Sequence, residues 1–262
     1  MEAEGADVTG EAPGPGEPRG VSFRGGALDG KIVASRILPP FFPLRPHERV
    51  LNLGSGEGPQ VVVYQGSFGS MTCADYDLER LRFARRSLGR RGVTGAGFLR
   101  CDAAELPFAA ETFDAALVLD LLEHLARPEA ALGELARVLR SGGRLLASFP
   151  LLFDLYDHAL EAALRLRARV LRLERSRPPV PAWDRHRPER PVREWTRLLE
   201  RSGFRIERMR ASTLFPPLQL LGVRRFWIEI GAIRRVDGWL SSLPGVRRLG
   251  QAMLVSATRA PL

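Results

Sequence analysis

The sequence predicts an α/β fold: a doubly wound, mainly parallel sheet of seven strands, with helices on both faces and helical inserts. Three observations carry this expectation. Short apolar runs alternate with helically spaced segments between Arg49 and Phe149, which is the rhythm of βαβ units. A glycine-rich turn, Gly54-Ser55-Gly56-Glu57-Gly58, follows the first run directly. Phe113–Leu119 is apolar apart from Asp114, as a strand covered on both faces should be.

Residues 1–20 hold Gly, Pro, Glu and Ala with almost no large apolar side chain, and read as a disordered tail. The remainder, 21–262, reads as a single domain with its core over 49–150 and 193–260 and inserts over 151–192 and 213–250. Gly30–Leu38 is expected to form a short helix ended by Pro39-Pro40, before a first strand at Arg49–Leu53 and a second at Ser70–Ala74. In Leu78–Leu88 the apolar positions Leu78, Leu81, Ala84 and Leu88 have helical spacing. Gly97–Cys101 and Phe113–Leu119 are the third and fourth strands. Pro128–Leu139 reads as a helix with Arg137 and Arg140 near its end, where cations suit the helix dipole. Ser141-Gly142-Gly143 is expected to stop it before a fifth strand, Arg144–Phe149. Leu151–Arg175 reads as one long basic helix with a broad apolar face, and 177–193 as a Pro/Arg-rich loop. Arg193–Ser202 is helical with Gly203 as its cap, Phe204–Ser212 alternates like a strand, 213–250 is a partly helical insert holding Trp227 and Trp239, and Gln251–Thr258 is the last strand.

The chain has 262 residues, 45% apolar and 26% charged, which is globular composition. No apolar run approaches the roughly 18 residues that a membrane span needs, and the start, Met1-Glu2-Ala3-Glu4, is not that of a secretory signal. Two cysteines, Cys73 and Cys101, exclude a disulfide scaffold, and the expected compartment is the reducing cytosol. Metal binding is not expected, because no set of His, Cys or carboxylates shows ligand spacing. The net charge of +9 is carried almost wholly by arginine, Lys31 being the single lysine. It is also uneven: residues 1–150 hold 17 basic and 19 acidic side chains, residues 151–262 hold 22 and 11. A positive C-terminal part suits an anionic substrate, a phospholipid surface or RNA, or simply solvated helix faces.

Glycines after a strand permit positive φ and let backbone approach a ligand at the C-terminal end of the sheet. The spacing here is G-x-G-x-G, not the G-x-G-x-x-G of dinucleotide sites, and no Gly-Lys-Ser/Thr phosphate loop is present. Further along come Ala74-Asp75-Tyr76-Asp77 at the end of the second strand, Cys101-Asp102-Ala103-Ala104-Glu105-Leu106-Pro107-Phe108 after the third, Leu119-Asp120-Leu121-Leu122-Glu123-His124-Leu125 after the fourth, and Glu134, Arg137-Val138-Leu139 and Gly142-Gly143 before the fifth.

In this order and spacing, over about 49–150 and more weakly over 193–212, the chain resembles the class I S-adenosylmethionine-dependent methyltransferases, in particular the type 11 methyltransferase domain. The resemblance implies a Rossmann-like fold with S-adenosylmethionine as cofactor. It implies that Gly54, Ser55, Gly56 and Gly58 pass under the methionine part of the cofactor. Asp75, beside Tyr76, would hold the ribose hydroxyls, Asp102 with Ala103 would meet the adenine, and Leu119 would line the site. Asn52 stands where the family usually has Asp, which would weaken the contact to the ammonium group without abolishing it. Asp75 also suits a helix N-cap, and Asp102 a turn cap. Asp120 either shapes the acceptor pocket or starts a helix, on which His124 would share its face. His124 is a candidate general base, or else a packing residue; His158 and His186 are weaker candidates, and His47 looks structural. Methyl transfer can proceed by orientation and desolvation without a dedicated base.

Several acceptor classes are argued down. The Asn-Pro-Pro-aromatic motif for nucleic-acid amines is missing after the fourth strand, one lysine cannot supply a Lys-Asp-Lys-Glu set, and no Pro-Cys nucleophile exists. The resemblance therefore points to methyl transfer onto an O, N or C atom of a small or lipid-linked acceptor, and the positive C-terminal part suits an anionic one. The 151–193 insert, with Phe153, Tyr156 and Trp183, would act as the lid, its 151–175 helix also suiting a membrane interface; Pro216, Trp227 and Trp239 would complete the lid or a dimer contact. An RNA methyltransferase using the basic C-terminal part, and a non-catalytic binding protein of the same fold, are the alternatives.

Overall fold

A computed structural model describes residues 27–151, 169, 190–214 and 231–261. Seven strands, β1 (Arg49–Leu53), β2 (Ser70–Asp75), β3 (Ala96–Arg100), β4 (Phe113–Val118), β5 (Leu139–Pro150), β6 (Phe204–Ala211) and β7 (Ala252–Arg259), form one sheet in the order β3-β2-β1-β4-β5-β7-β6. All neighbours are parallel except β7, which is antiparallel to both β5 and β6. The expected mainly parallel, seven-stranded sheet is what forms. The chain steps outward from β1 to β3 and returns to β4 on the other side of β1, so the sheet reverses direction between β1 and β4. In such sheets ligands bind outside the C-terminal ends of the strands at that reversal.

Both faces are covered because the central strands have no polar side to show water. On β1, Val50 joins a cluster with Val33, Phe41, Phe42, Val61 and Leu88, while Leu51 and Leu53 point to the opposite face with Leu132, Leu135 and Trp195. The first cluster is roofed by α1 (Ala27–Ser35), α2 (Leu38–Phe41), α3 (Pro59–Val63) and α4 (Leu78–Arg90). The second is roofed by α5 (Pro128–Val138) and α6 (Val192–Arg201). At the N-terminal side of the sheet, Arg144 grips the buried Glu48 through both carboxylate oxygens at 2.6 Å and donates to the Pro43 carbonyl at 2.8 Å.

Two local expectations are corrected. Pro39-Pro40 does not end a helix; the prolines occupy the first turn of α2, where a missing N–H costs nothing and a fixed φ is already helical. Ser141-Gly142-Gly143 does not separate α5 from β5. The helix has already ended at Val138, and these residues lie inside β5. Gly142 has φ +70°, and a Cβ on Gly143 would stand 2.7 Å from the Arg140 carbonyl oxygen, so the glycines let the strand kink at its start instead of terminating a helix. The Gly203 cap holds, with φ +85° and its N–H on the Glu200 carbonyl at 3.1 Å.

Beyond β6, α7 (Gly231–Leu240) docks on the sheet edge through polar groups. Asp237 is 1% exposed, accepts the Leu214 N–H at 2.8 Å, and lies 3.7 Å from Arg210. Burial holds the Arg210 guanidinium below its ordinary pKa, and the Asp237 charge opposes that shift. The 1–20 tail, the 152–168 and 170–189 parts of the expected helix and loop, His158, His186, Pro216 and Trp227 lie outside the described residues.

Candidate functional site

The turn after β1 folds back over the end of β2. The N–H groups of Gly54 and Ser55 both reach the Ala74 carbonyl, at 2.8 and 3.1 Å, and the Gly58 N–H closes on the Ser55 carbonyl at 2.9 Å. Gly54, Gly56 and Gly58 have φ of +69°, +52° and +73°, so all three conformations disfavour a side chain. A Cβ on Gly54 would also stand 3.0 Å from three atoms of Leu121. Glu57, nearly buried, is paired at 3.1 Å with Lys31 of α1.

Asp75 ends β2 and faces this turn. Its Oδ2 accepts the Gly56 N–H at 2.7 Å and its Oδ1 accepts the Asp77 N–H at 2.9 Å. The N-cap of α4 is Asp77, whose Oδ1 accepts the Glu79 and Arg80 N–H groups at 2.9 and 3.2 Å. The two duties that the sequence left open for Asp75 are thus divided: Asp77 caps, and Asp75 is left at the rim with one acceptor site still open on each oxygen. Tyr76 beside it is 69% exposed; the Arg100 guanidinium lies 5.2 Å from its ring centre and donates to its carbonyl at 3.1 Å.

Asn52 is buried under the turn, and its amide nitrogen faces Gln60 Oε1 at 3.4 Å and Cys73 Sγ at 3.9 Å. Ser55 Oγ is buried with no oxygen or nitrogen partner among the described residues, and the Cys73 thiol lies beside it. Burial pushes Cys73 up to about 12, and burial, with the charges of Asp102 and Asp75, pushes Cys101 up to about 11. Both remain thiols at neutral pH, as packing residues do.

After β3, Asp102 is exposed and accepts the Ala104 N–H at 2.8 Å, a local turn that leaves Ala103 buried behind it. The following Leu106-Pro107-Phe108 is clamped from α5. Arg137 donates to the Leu106 and Phe108 carbonyls at 2.9 and 2.7 Å, and Glu134 accepts the Leu106 N–H at 2.7 Å while pairing with Arg137.

After β4, Leu119 is half-buried and Asp120 is exposed with φ +51°. Ser148 of β5 holds Asp120 twice: its hydroxyl donates to Oδ1 at 2.6 Å and accepts the Asp120 N–H at 2.8 Å. The expectation of Asp120 and His124 on one helix face is corrected here. Only a single 3-10 turn, Leu122–His124, follows Asp120, and a left-handed residue before it breaks the helical register. The group that senses Asp120 is Glu123. It is 7% exposed, its Oε2 has no partner among the described residues, and burial followed by the Asp120 charge pushes its carboxyl up to about 8. His124 Nδ1 is turned inward. Glu123 and Ser148 carry no sequence signal of their own; Glu123 is visible only as one letter of the motif.

The rim therefore gathers the glycine turn, Asp75, Tyr76, Asp102 and Asp120 along the ends of adjacent strands. Residues 51–147 match the model of a family described as methyltransferase domain. This segment is similar to methyltransferase domains. A demethylmenaquinone methyltransferase of Clavibacter sepedonicus is 32% identical to the chain over 126 residues, 45% of this chain and 51% of that protein. A ubiquinone/menaquinone biosynthesis C-methyltransferase of Ectopseudomonas mendocina is 34% identical over 124 residues, 44% and 48% of the two chains. The chain thus spans about half the length of these relatives. A putative methyltransferase from Bacillus halodurans has a similar structure, with TM-score 0.58 and 18% identity over 87% of this chain and 99% of that one. A geranyl diphosphate methyltransferase solved in complex with GPP and sinefungin gives TM-score 0.55 at 17% identity, covering 87% of this chain and 76% of that one. The sheet has the class I, Rossmann-like fold that the sequence predicted. Among the described residues no group of His, Cys, Asp and Glu could hold a metal ion. No helix among them is long and apolar enough to cross a membrane.

Proposed function

We propose that the protein is an S-adenosylmethionine-dependent methyltransferase acting on a small or lipid-linked acceptor, with an isoprenoid-quinone-like ring as the favoured class. The observation that carries the reading is the Asp75–Gly56 contact of 2.7 Å at the reversal point of the sheet. It sets a carboxylate beside the backbone of a glycine turn, which is the surface a ribose needs. The buried, unsatisfied Ser55 Oγ in the same turn also fits a polar ligand there. The acceptor class rests on the names of the curated relatives, two of which act in quinone biosynthesis.

The bound cofactor supplies an activated methyl group on a sulfonium. The chain's own residues orient and desolvate. Gly54, Ser55, Gly56 and Gly58 offer backbone to the amino-acid part, with Asn52 beneath them. Asp75 accepts from the sugar hydroxyls, Tyr76 and Leu119 pack on the nucleoside, and Asp102 with Ala103 meets the base. Asp120, held by Ser148, faces the acceptor. Glu123 keeps a proton near neutrality that a second carboxylate beside Asp120 would otherwise lack. His124 lies at the same end of β4. Residues 21–262 act as one domain, located in the cytosol, where two free thiols persist.

Incubation with isotopically labelled S-adenosylmethionine and separated lipid, small-polar and RNA fractions tests the reading. Label should enter the lipid or small-molecule fraction and be lost in Asp75→Ala. Label confined to RNA would refute the acceptor class, and no cofactor binding by calorimetry would refute the enzyme.

A further inference from the structure

Helix α7 keeps part of its apolar surface outward. An amphipathic helix on a globular protein normally buries its apolar stripe and exposes its charges. Here Ile233 packs on the core and Asp237, one turn on, is 1% exposed, while Val236 and Trp239 stand out 49% and 65% exposed. The orientation is fixed by polar anchors. Asp237 accepts from the Leu214 N–H at 2.8 Å and lies 3.3 Å from Thr213 Oγ1 and 3.7 Å from Arg210. Ser241, one turn on, is fully buried and donates to the Asp237 carbonyl. The helix cannot roll its apolar side inward without breaking a buried ion pair, so the exposure is built in.

The turn that follows extends the same character. Leu249, in the 3-10 segment Val246–Leu249, is 41% exposed. Arg234, Arg235 and Arg248 are exposed and Arg247 is half-buried. None of these four has a carboxylate within ion-pair distance among the described residues. The single acid between 231 and 262 is Asp237 itself, which is buried and engaged. The surface therefore joins projecting apolar side chains to uncompensated positive charge.

Its place on the sheet matters. β5 and β6 are each antiparallel to β7, and Pro150 and Ala211 meet the adjacent β7 residues Ala252 and Met253. Their C-terminal ends therefore share one rim, the rim that carries Gly54 and Asp120. Helix α7 is tied down at Thr213 and Leu214, immediately past that rim.

We propose that this face, Val236, Trp239 and Leu249 framed by Arg234, Arg235, Arg247 and Arg248, seats the protein on an anionic lipid surface. A projecting indole with aliphatic neighbours suits the headgroup–acyl boundary, and arginines around it are attracted by anionic headgroups. Single-stranded RNA would need a groove with several stacking rings, and this face offers one ring beside two aliphatic side chains on a projecting helix. Docking here would hold the cofactor rim near the bilayer, where a lipid-linked acceptor resides. The inference goes beyond the proposed chemistry and does not depend on it.

Co-sedimentation of the full chain with vesicles, without cofactor or acceptor, tests it. The wild type should pellet with vesicles of phosphatidylcholine mixed with phosphatidylglycerol and stay in solution with phosphatidylcholine alone. Arg234→Glu/Arg235→Glu should reduce the bound fraction on the order of tenfold, and Trp239→Ala several-fold. The control Arg86→Glu/Arg90→Glu makes the same charge change on exposed positions of α4 and should retain binding within about twofold. Circular dichroism and the melting temperature of the variants establish that they are folded. No pelleting with anionic vesicles, an equal loss in the control, or full retention by the α7 variants would overturn the proposal. Capture by RNA at lower concentrations than by anionic vesicles would do so too.

Discussion

Asp75 and Gly56 are joined across neighbouring strand ends by a hydrogen bond of 2.7 Å, backbone N–H to carboxylate. The bond makes the glycine turn and the acid one rigid unit, because the other carboxylate oxygen is already held by the Asp77 N–H at 2.9 Å. The carboxylate cannot swing, and its remaining lone pairs point to the rim. Asp77, two residues on, has the unrelated duty of capping α4.

That division gives a paired prediction. Asp75→Ala should weaken cofactor binding by about 1.5–3 kcal/mol, the range for hydrogen bonds to a charged group. Asp77→Ala should cost about 1 kcal/mol of stability, the usual value of an N-cap, with cofactor affinity nearly unchanged. Calorimetric titration and denaturant melts of both variants separate the two effects. Equal loss of affinity in both would mean that the helix terminus, and not the Asp75 carboxylate, governs the site.

Gly54→Ala should destabilise the protein by about 1–3 kcal/mol, combining a left-handed alanine with overpacking. The added methyl would stand 3.0 Å from Leu121, at φ +69°. Trimming Leu121 to Ala in the same chain removes the two Cδ contacts but leaves the Cβ contact and the backbone conformation unchanged. The double variant should therefore recover part of the lost stability while keeping the strain. Full recovery in a melt would show that φ costs nothing here.

The sheet was legible because its strands are apolar runs set between helical spacings, and the make-up of its rim because the glycines and acids fall at strand ends. What was not legible depends on packing. Burial of Glu123, and hence its proton, is decided by how the 3-10 turn sits against its surroundings, and no letter records it. The serine partner of Asp120 lies 28 residues away on β5, visible only once strands are registered. Pro39-Pro40 and Ser141-Gly142-Gly143 carry the letters of a stop, yet prolines open a helix as readily as they end one, and glycines can kink a strand. Arg137 does lie in the last turn of α5, as its spacing predicts; its second duty, clamping the Leu106 and Phe108 carbonyls, is visible only in the fold.

Glu123 should make stability fall with rising pH. Its carboxyl is pushed from 4.5 up to about 8 by burial and by Asp120. Between those values the unfolded chain has lost the proton that the folded chain keeps, so each rise in pH favours unfolding. The contribution is fully present below the unfolded value and is lost as pH climbs through the folded one. Glu123→Gln removes the titration. Its melting temperature should match wild type at the acid end and exceed it by several degrees at pH 8–9, a difference of about 1–3 kcal/mol. Parallel pH profiles for the two proteins would place the titration elsewhere.

Ser148→Ala probes the acceptor side of the rim. Ser148 satisfies both the N–H and the carboxylate of Asp120, at 2.8 and 2.6 Å, and so holds a residue with φ +51° in a sparsely populated conformation. Removing the hydroxyl leaves that N–H to water and frees the carboxylate to rotate. Nothing in the glycine turn or at Asp75 touches Ser148, so cofactor affinity should remain within about twofold, while turnover falls by about tenfold or more as the rim loses its set geometry. Ser148→Thr keeps the hydroxyl and should restore most of the rate if the site admits the extra methyl. A fall in cofactor affinity equal to the fall in turnover would instead place Asp120 on the cofactor side, and reassign the acceptor to the far side of the turn.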